Sequence, residues 1–92
     1  MGWTVKVSEN ALKALGKLDR TAAARIRDEL VEIAGLEDPR SRGKGLTGDL
    51  AGLWRYRVGD YRVICDIEDG ELVVLVVDVA HRSKVYQRRR RK

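Results

Sequence analysis

Apolar and polar residues follow two different periods in the first half of the chain. Residues 3–7 alternate between apolar and polar side chains, which predicts a short β-strand with one apolar face. Ser8 is a good N-cap for a first helix, whose apolar residues recur at helical spacing over 11–18. Asp19 can cap a second helix with an apolar stripe over 23–33. The pattern predicts a strand followed by an antiparallel helical hairpin.

The second half of the chain changes to the period of two that is typical of strands. Three strands are predicted, at about 53–58, 61–68 and 71–79. Gly59-Asp60 and Asp69-Gly70 separate them, and both dipeptides favour two-residue hairpin turns. Two tight hairpins in succession predict an antiparallel meander.

These elements predict an α+β domain with a four-stranded sheet. The N-terminal strand comes first, the helical hairpin packs on one side of the sheet, and the three-stranded meander completes it. A short C-terminal helical segment or tail is expected to follow. We predict a single domain over residues 1–87 and a mobile basic tail over 88–92.

Positive charge is concentrated in two places. The chain has 19 basic and 14 acidic residues, and residues 88–92, all of them basic, account for the whole formal net charge of +5. Residues 40–62 are also rich in Lys and Arg and contain only Asp49 and Asp60 as acids. The location of the charge, rather than its sum, points to an anionic partner for the middle segment.

The arginines of the middle segment should lie on one face of the sheet. Arg55 and Arg57 alternate with the aromatic residues Trp54 and Tyr56, and Arg62 follows in the next strand. The aromatic and aliphatic side chains belong under the helices, because burying unpaired guanidinium groups costs several kcal/mol each. The alternatives are a phosphate-binding surface and an ordinary solvated surface with ion pairs to the Asp49, Asp60 and Asp66 carboxylates.

Other features restrict the class of protein. Cys65 is the only cysteine, so no intrachain disulfide can form, which fits a reducing cytoplasm. No apolar run is long enough to span a membrane, and no signal peptide is visible. The aspartates have no histidine partners at metal-ligand spacing, so we expect neither a metal nor a small-molecule cofactor.

Two segments resemble a known family. The run from Leu46 to Ile64, with Leu-Trp-Arg-Tyr-Arg-Val-Gly-Asp-Tyr-Arg at its centre, and the ending Val79-Ala-His-Arg-Ser-Lys-Val-Tyr86 resemble the RelE/ParE toxin superfamily. The resemblance covers nearly the whole chain and implies the toxin of a bacterial or archaeal toxin–antitoxin pair. RelE-type members cut messenger RNA in the ribosomal A site without a metal. The ribose 2′-hydroxyl attacks the adjacent phosphate, which leaves a 2′,3′-cyclic phosphate.

The resemblance also implies roles for individual residues. Arg62 and Arg82 match arginines that stabilise charge on the phosphorane, and Tyr86 matches a tyrosine that stacks on a base or transfers a proton. His81 is a further candidate for proton transfer. The expected contacts to phosphate or ribosomal RNA are Arg42, Lys44, Arg55 and Arg57. Two simpler interpretations stay open: His81 as an ordinary surface histidine, and Tyr86 as a residue that closes the core.

Two other functions remain possible on the same fold. One is a ParE-like inhibitor of DNA gyrase, which binds its target and is not a nuclease. The other is an inactive relative kept for complex formation. The nuclease would act on the ribosome and its message. It would be inhibited by a RelB-like antitoxin, acidic or amphipathic, that covers the arginine face or displaces the C-terminal element.

Overall fold

The computed structural model describes residues 2–83 of the chain. Strand β1 (Thr4–Val7) is followed by helices α1 (Glu9–Gly16) and α2 (Arg20–Ala34), and then by strands β2 (Lys44–Gly45), β3 (Trp54–Val58), β4 (Tyr61–Glu68) and β5 (Val73–His81). Single 3-10 turns lie at Pro39–Ser41, Gly48–Leu50 and Asp69–Glu71. The predicted α+β class is confirmed.

Both helices begin at the predicted caps. The Ser8 side chain accepts a hydrogen bond from the Ala11 N–H at 3.1 Å, and the Asp19 carboxylate accepts one from the Ala22 N–H at 2.9 Å. Each cap satisfies a backbone donor that has no partner within its own helix. The polar residues that precede the apolar stripes therefore define where α1 and α2 start.

The prediction of a four-stranded sheet was wrong. The sheet has five strands in the order β1-β5-β4-β3-β2, with β1 parallel to β5 and every other pair antiparallel. The additional strand, β2, consists of Lys44 opposite Arg55 and Gly45 opposite Trp54. Two residues are too few to show an alternating pattern, so the sequence carried no signal for it. The predicted C-terminal helical segment and the 88–92 tail lie outside the described residues.

The β4–β5 connection also differs from the prediction. Glu68 pairs with Val73, so four residues connect the strands, and the non-glycine residue Leu72 adopts a left-handed conformation with φ 55°. Asp69, expected in a two-residue turn, instead starts a 3-10 turn closed by the Leu72 N–H. The other predicted hairpin is confirmed, because Val58 pairs directly with Tyr61 across Gly59-Asp60.

The core lies between the two helices and one face of the sheet. Its buried members come from both layers: Ala11, Ile26, Leu30, Ile33, Tyr56, Val63, Cys65, Ile67, Val74, Val76 and Val79. Val63 and Cys65 alternate with Arg62 and Ile64 along β4, so the arginine points to the opposite face. Neither helix among residues 2–83 is long and apolar enough to cross a membrane.

Candidate functional site: a cationic cluster on the sheet

Four cationic side chains lie on the sheet face opposite the helices. Lys44 pairs with Arg55 across β2 and β3, and Arg57 pairs with Arg62 across β3 and β4. Directly opposed residues share a face, and so do residues two apart in one strand, so all four side chains point the same way. We call Lys44, Arg55, Arg57 and Arg62 the cationic cluster.

The cluster is electrostatically unfavourable as it stands. Like charges directly opposite each other destabilise a sheet, and the cluster contains two such pairs. Within residues 2–83, none of its four members forms an ion pair with a carboxylate. Ion pairs with Asp49, Asp60 or Asp66, the alternative raised by the sequence, are therefore not formed in this part of the chain.

Three guanidinium nitrogens of the cluster are buried without an acceptor among residues 2–83. They are Nε of Arg55 and both Nε and Nη1 of Arg62. A buried donor without a partner costs about 1–3 kcal/mol. Guanidinium groups donate several parallel hydrogen bonds to phosphate, so an anion bound on this surface would relieve the repulsion, and a turn of the arginine side chains toward it would give these nitrogens an acceptor.

Arg42 does not belong to the cluster, although the sequence suggested it. Its Nη1 donates to Glu29 and Glu32 of α2, both at 3.0 Å. These hydrogen bonds to the two carboxylates raise the pKa of Arg42. Arg42 therefore attaches the segment before β2 to the helical layer.

Gly43 and Trp54 hold β2 against β3. Gly43 has φ +81°, and a Cβ there would collide with the Arg55 carbonyl oxygen. The Trp54 indole Nε1–H donates to the Arg42 carbonyl at 2.6 Å. A residue other than glycine at position 43 would push apart the strands that present Lys44 and Arg55, so this glycine is a site residue that the sequence analysis missed.

Tyr56 anchors the strand between its two arginines. Its side chain is 2% exposed, and its hydroxyl donates to the Pro39 carbonyl at 2.7 Å. Burial raises the pKa of Tyr56 above its ordinary range. The phenol is therefore a neutral structural donor that fixes β3, and Arg55 and Arg57 project from the other side of the same strand.

His81 is separated from the cluster by the sheet. It pairs with Tyr61, whose ring packs against the core, and the two rings meet edge to face at 5.6 Å. Arg62 pairs with Ala80, on the opposite face. The His81 Nδ1 accepts the Ser83 backbone N–H at 3.2 Å, which leaves Nε2 to carry the proton of the neutral ring. The structure does not bring His81 together with Arg62.

Arg82 stays close to the hairpin that carries the cluster. It follows directly after β5, its backbone N–H donates to the Asp60 carbonyl at 2.8 Å, and it is exposed. This bond keeps the Arg82 backbone beside the turn between Arg57 and Arg62. Tyr86 lies outside the described residues, and its role stays a prediction.

No group of metal-ligating side chains appears among the residues that the structure describes. What the described part of the site offers is guanidinium and ammonium groups. Their chemistry is binding of oxyanions and stabilisation of negative charge that develops on them.

Comparisons with known proteins identify the family of this chain. A family model described as "ParE toxin of type II toxin-antitoxin system, parDE" matches residues 5–86. The chain is 38% identical over 84 residues to Toxin RelE of Mycobacterium tuberculosis, covering 90% of this chain and 84% of that protein. It is 33% identical over 90 residues to the mRNA interferase toxin RelE of Escherichia coli, covering 94% and 92%.

The fold is shared as well. The crystal structure of the RelBE2 toxin–antitoxin complex of Mycobacterium tuberculosis matches with a TM-score of 0.69 and 32% identity, over 90% of this chain and 94% of that one. The superfamily suggested by the two sequence segments is therefore confirmed. The chain belongs to the RelE/ParE toxin superfamily of type II toxin–antitoxin systems.

Proposed function

We propose that this protein is a RelE-type endoribonuclease that cleaves messenger RNA in the ribosomal A site. The observation that carries the proposal is the set of buried guanidinium N–H groups of Arg55 and Arg62 that find no acceptor in the described part of the chain. They lie in a cluster with two like-charge pairs, whose repulsion a bound anion would relieve. A phosphodiester is the anion that the relatives named mRNA interferase act on.

The cluster supports attack of the ribose 2′-hydroxyl on the adjacent phosphate. The 2′-hydroxyl gives up its proton as its oxygen bonds to phosphorus, the bond to the 5′-oxygen breaks, the leaving 5′-oxygen takes up a proton, and a 2′,3′-cyclic phosphate remains. Arg62 and Arg82 stabilise the extra negative charge on the phosphorane, and Arg55, Arg57 and Lys44 hold the flanking phosphates. The reaction needs no metal, because the cations are supplied by side chains.

We assign proton transfer to Tyr86. Arginine cannot act as a base near neutral pH because its pKa lies above about 12, so the cluster itself only binds and stabilises. His81, the other candidate, pairs with Tyr61 on the helix side of the sheet. We therefore expect Tyr86→Phe to lower the cleavage rate strongly. His81→Gln should leave the rate of the bond-breaking step unchanged.

Dependence on the ribosome follows from the kind of contacts that the cluster makes. Guanidinium groups bind phosphates regardless of sequence and do not by themselves align a 2′-hydroxyl with the leaving oxygen. The ribosome presents the message as a held single strand, which supplies that alignment. Free RNA should accordingly be cut far more slowly than message in the A site.

A cognate antitoxin of the RelB type is the proposed partner. The similar Mycobacterium tuberculosis protein was solved in a toxin–antitoxin complex. Acidic side chains of an antitoxin would satisfy the same N–H groups that bind phosphate, and would remove the repulsion between Arg57 and Arg62. Inhibition would then be direct competition for the cationic cluster, in the cytoplasm where the message is translated.

The test is in vitro translation followed by primer extension on the message. The wild-type protein should produce cuts at codon-spaced positions only when ribosomes are present. Arg62→Gln should lower the rate by about 10²–10³, the usual effect of removing one donor to a developing oxyanion. Arg27→Gln, which removes an exposed cation of α2, is the matched control and should leave the rate unchanged. Wild-type cleavage that does not need ribosomes would contradict the proposal.

A gyrase inhibitor is the second candidate, favoured by the family model whose description names ParE. The same preparation can be incubated with DNA gyrase and supercoiled plasmid. Accumulation of gyrase–DNA cleavage complexes, together with intact message in the translation assay, would select this function over the nuclease.

A further inference from the structure

A second cationic cleft lies on the helix side of the sheet. It has a volume of about 430 Å³ and lies between α1 and the C-terminal end of β5. Its polar and aromatic walls are Asn10, Lys13, Lys17, Tyr61 and His81. Because Tyr61 and His81 point away from Arg62, this cleft is separated from the cationic cluster by the thickness of the sheet.

The cleft results from the unequal lengths of β1 and β5. Strand β1 pairs with β5 only as far as Val76, whereas β5 continues to His81. Helix α1 packs beside the part of β5 that β1 leaves unpaired. The Ser8 hydroxyl and the Asn10 side-chain amide both donate to the Val77 carbonyl, at 3.3 and 3.1 Å. These bonds fix the start of α1 to β5, so the cleft is preformed.

The lysines of the cleft form an exposed like-charge pair. Lys13 lies on α1 and Lys17, four residues later, is its C-cap, a spacing at which two cations repel each other. Within residues 2–83, neither forms an ion pair. Asp78, which precedes the lining residue Val79, accepts hydrogen bonds from the Asn10 amide at 3.3 Å and from the Val79 N–H at 2.9 Å. An anion between the two lysines would relieve their repulsion.

We propose that this cleft binds one nucleotide of single-stranded RNA. The phosphate lies between Lys13 and Lys17, and the base packs on the ring pair of Tyr61 and His81. The His81 Nε2–H, left as a donor because Nδ1 accepts from Ser83, can bond to an acceptor on the base or ribose. A nucleotide combines one phosphate with a planar apolar ring, which matches these walls. An acidic peptide would match the lysines alone.

Nucleotide binding in this cleft extends the proposed function, and the assignment of the cleft to RNA rests on that function. The Tyr61–His81 pair is the neighbour of the Arg62–Ala80 pair in the β4–β5 ladder. Successive residues of a strand are about 3.3 Å apart, so a single strand that passes around this end of the sheet can reach both faces. A nucleotide flanking the cleaved bond would bind in the cleft while the scissile phosphate lies on the cationic cluster.

The test uses the fact that His81 is the only histidine in the chain. Its imidazole gives a single set of NMR signals, which can be followed at fixed pH while adenosine 5′-monophosphate is added to the full-length protein. We expect saturable shifts of the His81 and Tyr61 ring signals. The dissociation constant should rise about tenfold or more in Lys13→Gln/Lys17→Gln, since two charge-assisted contacts are lost.

Matched variants separate a local effect from a general loss of charge. Arg20→Gln/Arg27→Gln removes two exposed cations of α2 and should bind as the wild type does. Lys13→Arg/Lys17→Arg keeps the charges and should restore binding. Absent His81 shifts, or the same loss of affinity in both Gln double variants, would overturn the proposal.

Two further ligands decide the chemical class. Equal affinities for inorganic phosphate and for the nucleotide would show a plain anion site and overturn the assignment. Tighter binding of a hexaglutamate peptide than of the nucleotide would assign the cleft to a protein partner instead. Arg62→Gln should leave the His81 shifts intact, so the cleft can be verified even if the translation assay shows no cleavage.

Discussion

Arg57 and Arg62 face each other directly across the β3–β4 ladder, one residue from the hairpin turn on each strand. Two guanidinium groups in this position repel each other in the free protein. Neither has an ion-pair partner among residues 2–83. A sheet selected only for stability would place opposite charges here, so the pair supports the proposed binding of an anionic ligand.

Replacing Arg57 by Glu should therefore stabilise the fold while it abolishes phosphate binding. A favourable cross-strand pair in place of the repulsion should raise the free energy of unfolding by about 0.2–1 kcal/mol, measured by urea denaturation. Arg27→Glu makes the same charge change on an exposed position of α2 and should lie within about 0.5 kcal/mol of the wild type. A destabilised Arg57→Glu protein would show that the repulsion is already relieved in the free molecule.

Arg42 and Arg55 should separate structure from binding. Arg42 donates to Glu29 and Glu32, whereas the Arg55 Nε has no acceptor within the described residues. Arg42→Ala should lower the urea midpoint slightly and leave ribosome-dependent cleavage unchanged. Arg55→Ala should lower cleavage without lowering stability. The urea midpoint and the ribosome-dependent cleavage should be measured for both variants. Equal loss of cleavage in the two would show that Arg42 also contacts RNA.

Gly43 should be far more sensitive to substitution than Gly16. A Cβ at Gly43 collides with the Arg55 carbonyl at a backbone φ of +81°, whereas a Cβ at Gly16 meets nothing within 4 Å. Gly43→Ala should lose at least about 2 kcal/mol of unfolding free energy, from strain and overpacking. Gly16→Ala, at the end of α1, should gain about 0.4–1 kcal/mol because the unfolded chain has fewer conformations. Guanidinium chloride melts followed by tryptophan fluorescence give both values.

Alkaline pH should destabilise the protein through Cys65. Burial raises the pKa of its thiol to about 12, while in the unfolded chain it ionises near about 8.5. The native state therefore holds a proton that the unfolded state releases, and the free energy of unfolding falls as the pH rises from about 9 toward 12. Urea melts of the wild type and of Cys65→Ala over this range should diverge, with a flatter profile for the variant. Parallel profiles for the wild type and Cys65→Ala would show that the alkaline destabilisation does not come from Cys65.

The elements of the helical layer follow directly from local sequence signals. Ser8 and Asp19 are polar residues before apolar stripes, and each caps its helix as expected. The Gly59-Asp60 hairpin was equally clear, because two-residue turns demand particular residues. The β4–β5 turn was not clear from local signals. Asp69 forms an ion pair at 2.8 Å with Arg40, which lies 29 positions away in the sequence.

By itself the sequence determined the class of fold and the face of the sheet on which Arg55, Arg57 and Arg62 lie. Both follow from periodicity, which is a local property of the chain. The two-residue hairpin also places Arg57 opposite Arg62. Only the tertiary structure decided the register between β4 and β5, which pairs Arg62 with Ala80 and Tyr61 with His81 and so puts Arg62 and His81 on different sides of the sheet. Pairing between distant strands depends on the packing of the whole core, so a reading of neighbouring residues cannot supply it.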